Sequence, residues 1–284
     1  MPAVDLRAYL NRIGYRGPTG ATEDVLRAVH RCHACTIAYE NLDVIRAVPV
    51  DQDIGRIFTK IVVDGRGGWC YEMNGLLGWA LQEIGFNVTR ICGGVMRADR
   101  GDEAFGNHLV LKVDLDEPWI ADVGLGDGIV EPIPLRESDS AQFGRHYRLE
   151  RLRSGEWRFH NRENGMPPSF DFFDRPADES LLTRTCNKLQ NDSESMFRQN
   201  LICQRMSVNG GHMLLGRVLT HHAGAEPERL LRSEAELVDV LESVFGIRVP
   251  DVTGVWSRVV ARHQTLFGDT PASDGRVGPP PSAA

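Results

Sequence analysis

The hydrophobic period of this chain changes at Gly85, and that change narrows the folds open to it. Upstream, apolar residues recur at helical spacing. Leu6, Leu10 and Ile13 precede Gly14, and a second run leads from a Thr22 N-cap toward His33. Ile54, Ile57, Phe58, Ile61 and Val62 follow Asp53 and end at Asp64-Gly65; Met73, Leu76, Leu77, Ala80, Leu81 and Ile84 form one more stripe. Downstream the period is two: residues 87–96, 107–114 and 119–123 are strand-like, with turn chemistry at Asp114-Leu115-Asp116-Glu117-Pro118. Segments 145–152 and 156–160 flank Ser154-Gly155, a hairpin signal. The first 85 residues therefore predict a helical bundle and the middle an antiparallel sheet or small barrel. Tyr39-Glu40-Asn41-Leu42-Asp43 reads as too polar for a core strand, and 176–205 has no single period. Ser233-Glu234-Ala235-Glu236 opens a helix through Leu237, Val240, Leu241, Val244 and Phe245, closed by Gly246; another is expected over 252–267. Residues 269–284, rich in Pro, Gly, Ser and Ala, are expected to be disordered.

Composition excludes several classes of function. No run approaches the roughly 20 apolar residues of a membrane span, and Met1-Pro2-Ala3-Val4-Asp5-Leu6 lacks the basic start and apolar block of a signal peptide. A net charge of −7 argues against nucleic-acid or membrane-surface partners while permitting a local basic pocket. Six cysteines without an export signal read as free thiols in a cytoplasmic protein. Cys32 and Cys35 make a CxxC near His30 and His33, but a second ligand pair is missing, so no metal is expected.

The chemistry concentrates on Arg66-Gly67-Gly68-Trp69-Cys70-Tyr71-Glu72-Met73-Asn74. Cys70 falls in or just before a first helical turn, where unpaired N–H groups and the helix dipole favour a thiolate over a thiol. It reads either as a nucleophile or as a small buried apolar side chain. A nucleophile needs a base and an acceptor that orients the base. His108 projects from the face of its strand opposite Leu109, Leu111 and Val113, and Asp122 is a lone carboxylate in the next strand. The two lie directly opposite each other only if the turn is centred on Leu115 with an odd number of loop residues; a two-residue turn at Asp116-Glu117 would separate their faces. Beyond them, Gly124-Leu125-Gly126-Asp127-Gly128 offers backbone N–H groups for a phosphate, or simply makes turns; Asp127 disfavours an anion.

Together the cysteine motif, Tyr39-Glu40-Asn41-Leu42-Asp43, His108 and Asp122-Val123-Gly124-Leu125-Gly126 resemble the arylamine N-acetyltransferases, over about residues 4 to 267. The resemblance implies an α+β protein of several subdomains with a papain-like Cys-His-Asp arrangement. A helical bundle (1–85) would carry Cys70, an antiparallel β-barrel (86–195) would carry His108 and Asp122, and an α/β lid (196–268) would precede the tail (269–284). It implies acetyl-CoA as cosubstrate, an arylamine or arylhydrazine acceptor, and ping-pong transfer through an acetyl-cysteine. Gly126, Asp127 and Gly128 would meet the cosubstrate, and Tyr39, Trp69, Val95 and Leu125 would line the acceptor pocket. Glu40 and Arg66 would hold the motif loop, with Glu72 and Asn74 orienting it. Three departures bear on specificity: Ala38-Tyr39 stands where the family has Pro-Phe, Leu125 where it has Phe, and Thr185-Cys186-Asn187-Lys188 departs from the usual pattern. An amide synthase transferring a larger acyl chain, a cysteine hydrolase and a non-catalytic binding protein remain alternatives. The oligomeric state is not legible.

Overall fold

The structure, a computed structural model, describes residues 3–221, 228–249 and 252–267; the expected tail 269–284 and His222 lie outside them. Helices α1 (Leu6–Arg12), α2 (Glu23–Thr36), α3 (Leu42–Ile45), α4 (Ile54–Phe58) and α5 (Cys70–Ile84) occupy the N-terminal part. Their starts follow the sequence. Asp5, Thr22 and Asp53 accept from main-chain N–H groups in the first turns of α1, α2 and α4. The helix expected to run to Asp64 instead loosens after Phe58 into a π-helical turn, Thr59–Val63, whose effect is to place Lys60. The apolar stripe of α5 from Met73 to Ile84 is wholly buried, and it joins α1, α2 and two sheet strands in one core.

Eight antiparallel strands form the larger sheet. In chain order they are β2 (Asn87–Val95), β3 (His108–Asp114), β4 (Pro118–Ala121), β5 (Ile133–Pro134), β6 (Ser138–Gln142), β7 (Arg145–Arg151), β8 (Trp157–His160) and β9 (Ser169–Phe172). Their spatial order is β5-β4-β3-β2-β9-β8-β7-β6. The two edges approach each other as a near-barrel. Gln142 at the end of β6 accepts from the N–H groups of Val130 and Glu131 and donates to the Glu131 carbonyl, just ahead of β5. The hairpin that matters most is β3–β4. Lys112 pairs with Ile120 and Asp114 with Pro118, so the loop Leu115–Glu117 has three residues centred on Asp116, one residue beyond the Leu115 centre that would put His108 directly opposite Asp122.

The segment Tyr39–Glu40, read from its polarity as unfit for a core strand, is in fact a buried strand, β1. It pairs with β10 (Ile202–Ser207) at Tyr39↔Gln204 and Glu40↔Cys203 and opens the second sheet, β1-β10-β11-β12-β13. The remaining strands are β11 (Gly210–Leu215), β12 (Val218–His221) and β13 (Arg229–Leu230). A charged side chain can occupy a core strand when its counter-ion is buried with it, and Glu40 has Arg66. The stretch without a clear period contains α7 (Glu179–Asn191) and α8 (Met196–Gln199), separated from β2 by the short α6 (Arg97–Arg100) and the sheet. Helices α9 (Glu234–Ser243) and α10 (Thr253–Phe267) pack Leu237, Val240, Leu241, Phe245, Val255 and Val259 against Cys203, Leu214 and Leu231 of the second sheet region. None of the described helices is long and apolar enough to cross a membrane.

Candidate active site

Cys70 is the first residue of α5, so its own N–H and that of Tyr71 have no intrahelical acceptor. The helix start is built by its neighbours. Glu72 at the third position folds back so that one oxygen accepts from the Trp69 N–H at 3.2 Å. Gly124 is required beside it: a Cβ there would stand 2.8 Å from Cys70 Cα and 2.7 Å from Asn74 Nδ2. The segment after β4 thereby comes into direct contact with the first turn of α5.

That contact explains how His108 and Asp122 meet. With the loop centred on Asp116, His108 is the diagonal neighbour of Asp122 on the same sheet face rather than its direct opposite. Side-chain reach closes the diagonal: His108 Nε2 stands 2.8 Å from Asp122 Oδ2. Strand β4 has already ended, because the Asp122 N–H leaves the ladder and donates to His30 Nε2 at 3.0 Å. His30 is buried and its other nitrogen, Nδ1, lies 2.9 Å from the Val130 carbonyl. Burial lowers the His30 pKa to about 4, outweighing the nearby Asp122 and Glu131 charges, so it is a neutral positioning imidazole.

Asn74, one helical turn beyond Cys70, is the central connector. Its Nδ2 donates to Asp122 Oδ1 at 2.7 Å and to the Leu109 carbonyl at 2.6 Å, and its Oδ1 accepts from the Val123 N–H at 2.9 Å. The Gly124 N–H adds a second donor to Asp122 Oδ1 at 2.9 Å. Burial alone would push the Asp122 carboxyl up. The His108 charge and hydrogen bond, with those of Asn74 and Gly124, reverse this and hold it below its ordinary range. Burial likewise disfavours the His108 imidazolium. The Asp122 carboxylate and the hydrogen bond and charge of Cys70 outweigh it and raise the pKa to about 10. With Nε2 held by Asp122, Nδ1 is left for the Cys70 sulfur. Cys70 bears on the His108 ring through its charge, and its Sγ lies 3.8 Å from the Asn107 carbonyl.

Behind this unit is a buried ion cluster. Arg66 donates to Glu40 Oε1 through Nε at 3.0 Å and Nη2 at 2.8 Å, and Nη2 also reaches Asp43 Oδ1 at 3.1 Å. Lys60 Nζ bridges Asp43 Oδ2 at 2.8 Å and both Glu72 oxygens at 2.9 Å. Glu40 also accepts from the Leu42 N–H at 2.7 Å. The cluster joins β1, the loop ahead of Cys70 and the first turn of α5. Burial raises the Glu72 carboxyl and Lys60 opposes it; burial lowers the Lys60 and Arg66 cations, and their carboxylate partners raise them above their ordinary values. Sequence reasoning named Glu40, Arg66 and Glu72 but missed Asp43, Lys60 and His30. Asp43 lies inside the motif quoted, His30 stands out only as a neighbour of the CxxC, and nothing in the spacing singles out Lys60.

Arg66→Met is expected to cost about 3–5 kcal/mol of unfolding free energy, because fully buried Glu40 is left without its cation. Urea unfolding measures this, and a loss below about 1 kcal/mol would mean that the pair does not brace the loop.

The four residues expected at the acceptor pocket divide. Tyr39 and Trp69 pack in the same cluster as Cys70, with Leu182, Cys186 and Ile202 close by. Trp69 sits edge-on to Tyr71 and Phe197, at 5.2 and 5.7 Å between ring centres. Leu125 and Val95 join a different cluster, the sheet core around Ile91, Val110, Phe159 and Phe170. Of the expected cosubstrate residues, Gly126 and Gly128 lie on the segment following Asp122. Asp127 turns inward and pairs with Arg162 at 2.7 Å. Cys32 and Cys35 are free thiols; His33, between them, lies 2.8 Å from the Tyr9 hydroxyl, and no metal-binding cluster occurs among the described residues.

A sequence profile described as N-acetyltransferase matches residues 22–253. The arylamine N-acetyltransferase of Mycolicibacterium smegmatis is 34% identical, over 89% of this chain and 95% of its own. That of Escherichia coli K12 is 32% identical, over 87% and 90%. The solved structure of the Mycobacterium marinum arylamine N-acetyltransferase in complex with CoA superposes with a TM-score of 0.81 at 32% identity, covering 91% of this chain and 98% of that one.

Proposed function

Since the chain belongs to the arylamine N-acetyltransferase family, and is an acetyltransferase for arylamines, we propose that it works in two half-reactions through a thioester on Cys70. The observation that carries this reading is the 2.8 Å His108–Asp122 hydrogen bond, both residues buried, together with Cys70 at a helix start. In the first half the Cys70 thiolate attacks the acetyl carbonyl of acetyl-CoA, a new S–C bond forms, and the CoA sulfur leaves with a proton from the His108 imidazolium. One thioester replaces another, so a thiolate matched to its leaving group suits the step. In the second half an arylamine or arylhydrazine nitrogen attacks the acetyl-cysteine, His108 takes the nitrogen's proton, and the thiolate is released as the amide forms. The N–H groups of Cys70 and Tyr71 serve the oxyanion in both halves.

The CoA in the Mycobacterium marinum structure supports acetyl-CoA as the donor here. The cysteines are all free, which supports a cytoplasmic setting. Glu40, Asp43, Lys60, Arg66 and Glu72 brace the loop, Asn74 and His30 fix Asp122, and Tyr39 and Trp69 border the acceptor's path.

Mass spectrometry after acetyl-CoA treatment tests the central step. The expected result is an adduct of about 42 Da on Cys70 that persists in buffer and is discharged by an aniline. Absence of the adduct, or its rapid loss to water without amine, would overturn the reading.

A further inference from the structure

The segment Gly124–Gly128 is tied to the larger sheet through its acceptors. The Asp127 side chain is 2% exposed. Its Oδ2 accepts from Arg162 Nη2 at 2.7 Å and from the Met166 N–H at 3.1 Å, and its Oδ1 from Arg162 Nε at 3.3 Å. The Asp127 carbonyl accepts from Asn161 Nδ2 at 2.8 Å, and the Gly128 carbonyl from the Tyr147 hydroxyl at 2.9 Å. Asn161 and Arg162 belong to the β8–β9 connection, and Asn161 is itself fixed by the Pro167 carbonyl and the Arg162 N–H, both at 2.8 Å. On the opposite flank the segment presses against β10. Gly126 has φ +82, and a Cβ on it would lie 1.9 Å from Gln204 Oε1. Among the described residues no acceptor takes the N–H of Gly126, Asp127 or Gly128. The carbonyls of Asp127 and Gly128 and the Asp127 charge are thus engaged, while the N–H groups of Gly126, Asp127 and Gly128 are left over. That polarity suits an anion.

We propose that Arg162 is a positioning residue for the cosubstrate: it neutralises Asp127 from the sheet side and holds the Gly126–Gly128 donors open for the phosphates of an acyl-CoA. The inference rests on the reading that this segment meets CoA. It assigns a role to the β8–β9 connection, which is remote in sequence from the cysteine motif. Without Arg162 the Asp127 carboxylate stands uncompensated beside an incoming polyanion, and the segment loses its strongest tether.

The experiment compares two acetyl donors, acetyl-CoA and p-nitrophenyl acetate, the second of which has no phosphate. In Arg162→Gln the ratio of kcat/KM for acetyl-CoA to that for p-nitrophenyl acetate is expected to fall at least tenfold, through KM for acetyl-CoA. Arg162→Lys keeps the positive charge and is expected to recover most of the ratio. The double variant Asp127→Asn/Arg162→Gln, which removes the carboxylate as well, is expected to recover part of it. A purely structural role would lower both donors together and leave the ratio unchanged, and that result overturns the proposal. Amide NMR of the labelled wild-type protein separates the two levels. If CoA shifts Gly126 and Gly128 while the Arg162→Gln ratio is unchanged, only the role of Arg162 fails; if CoA leaves both amides unmoved, the reading of the segment fails and this inference with it.

Discussion

Cys70→Ser is expected to lower acetyl transfer to an arylamine by a factor on the order of 10⁴ or more, with no acetyl-enzyme detected. The substitution keeps the size of the side chain and its place at the start of α5, where it is 4% exposed. Serine adds a hydroxyl that can donate to the Asn107 carbonyl, which now lies 3.8 Å from Sγ, so the fold should tolerate it. What is lost is the nucleophile's match to the reaction. An alkoxide is far harder to form than a thiolate, and the exchange of one thioester for another becomes the formation of an oxygen ester. Steady-state assays with acetyl-CoA and an aniline measure the loss, and intact-protein mass measures the adduct. A serine variant within tenfold of the wild-type rate would remove Cys70 from the mechanism.

Asp122→Asn carries the second-largest effect, a fall of roughly 10³–10⁴ in the acylation rate, and its cause is a tautomer. Two donors, Asn74 Nδ2 and the Gly124 N–H, point at the Oδ1 position. In the variant the amide oxygen must occupy that position, so the amide NH₂ faces His108 Nε2. Nε2 then has to accept, the ring proton moves to Nδ1, and Nδ1 faces the Cys70 sulfur already protonated. The imidazole is left neutral and turned the wrong way to receive a proton.

The same substitution has a pH signature. His108 titrates at about 10 in the folded chain against an ordinary value of 6.5. A raised folded-state pKa contributes stability that is fully present below 6.5 and lost as pH rises toward about 10. Wild-type melting temperature should therefore decline across that window through this group, and Asp122→Asn should flatten the decline. Asp122 has the opposite sign: its depressed pKa adds stability above the ordinary carboxylate range that is lost on acidification. Iodoacetamide should alkylate Cys70 at neutral pH several-fold more slowly in the variant. Unchanged alkylation together with an unchanged pH slope would separate Asp122 from the cysteine's activation.

Much of the fold was legible because local rules and tertiary packing agree. The stripe from Met73 to Ile84 is buried as its spacing requires, and β3, β7 and β8 fall within the segments expected from period-two alternation. The failures occur where a long-range partner overrides local character. Tyr39–Glu40 is a core strand because Arg66 and β10 satisfy it, and neither is visible from the pentapeptide. The turn is centred on Asp116, neither the Leu115-centred loop nor the two-residue turn that the sequence allows, because a register is a property of a pair of strands, fixed by what each packs against. Asp127 looked hostile to an anion until Arg162, 35 residues on, accounted for its charge.

The amino-acid order alone supplied the candidates: a cysteine at a helix start, a histidine on one strand and a carboxylate on the next. Each of those is a short-range fact, read from the few residues on either side of it. Only the folded chain decided that His108 and Asp122 meet along a diagonal, that Asn74 holds the Asp122 carboxylate and His30 its main-chain N–H, and that five ionised groups gather behind Cys70. Each of those depends on desolvated partners brought together from distant parts of the chain, and desolvation is set by three-dimensional packing rather than by sequence neighbours.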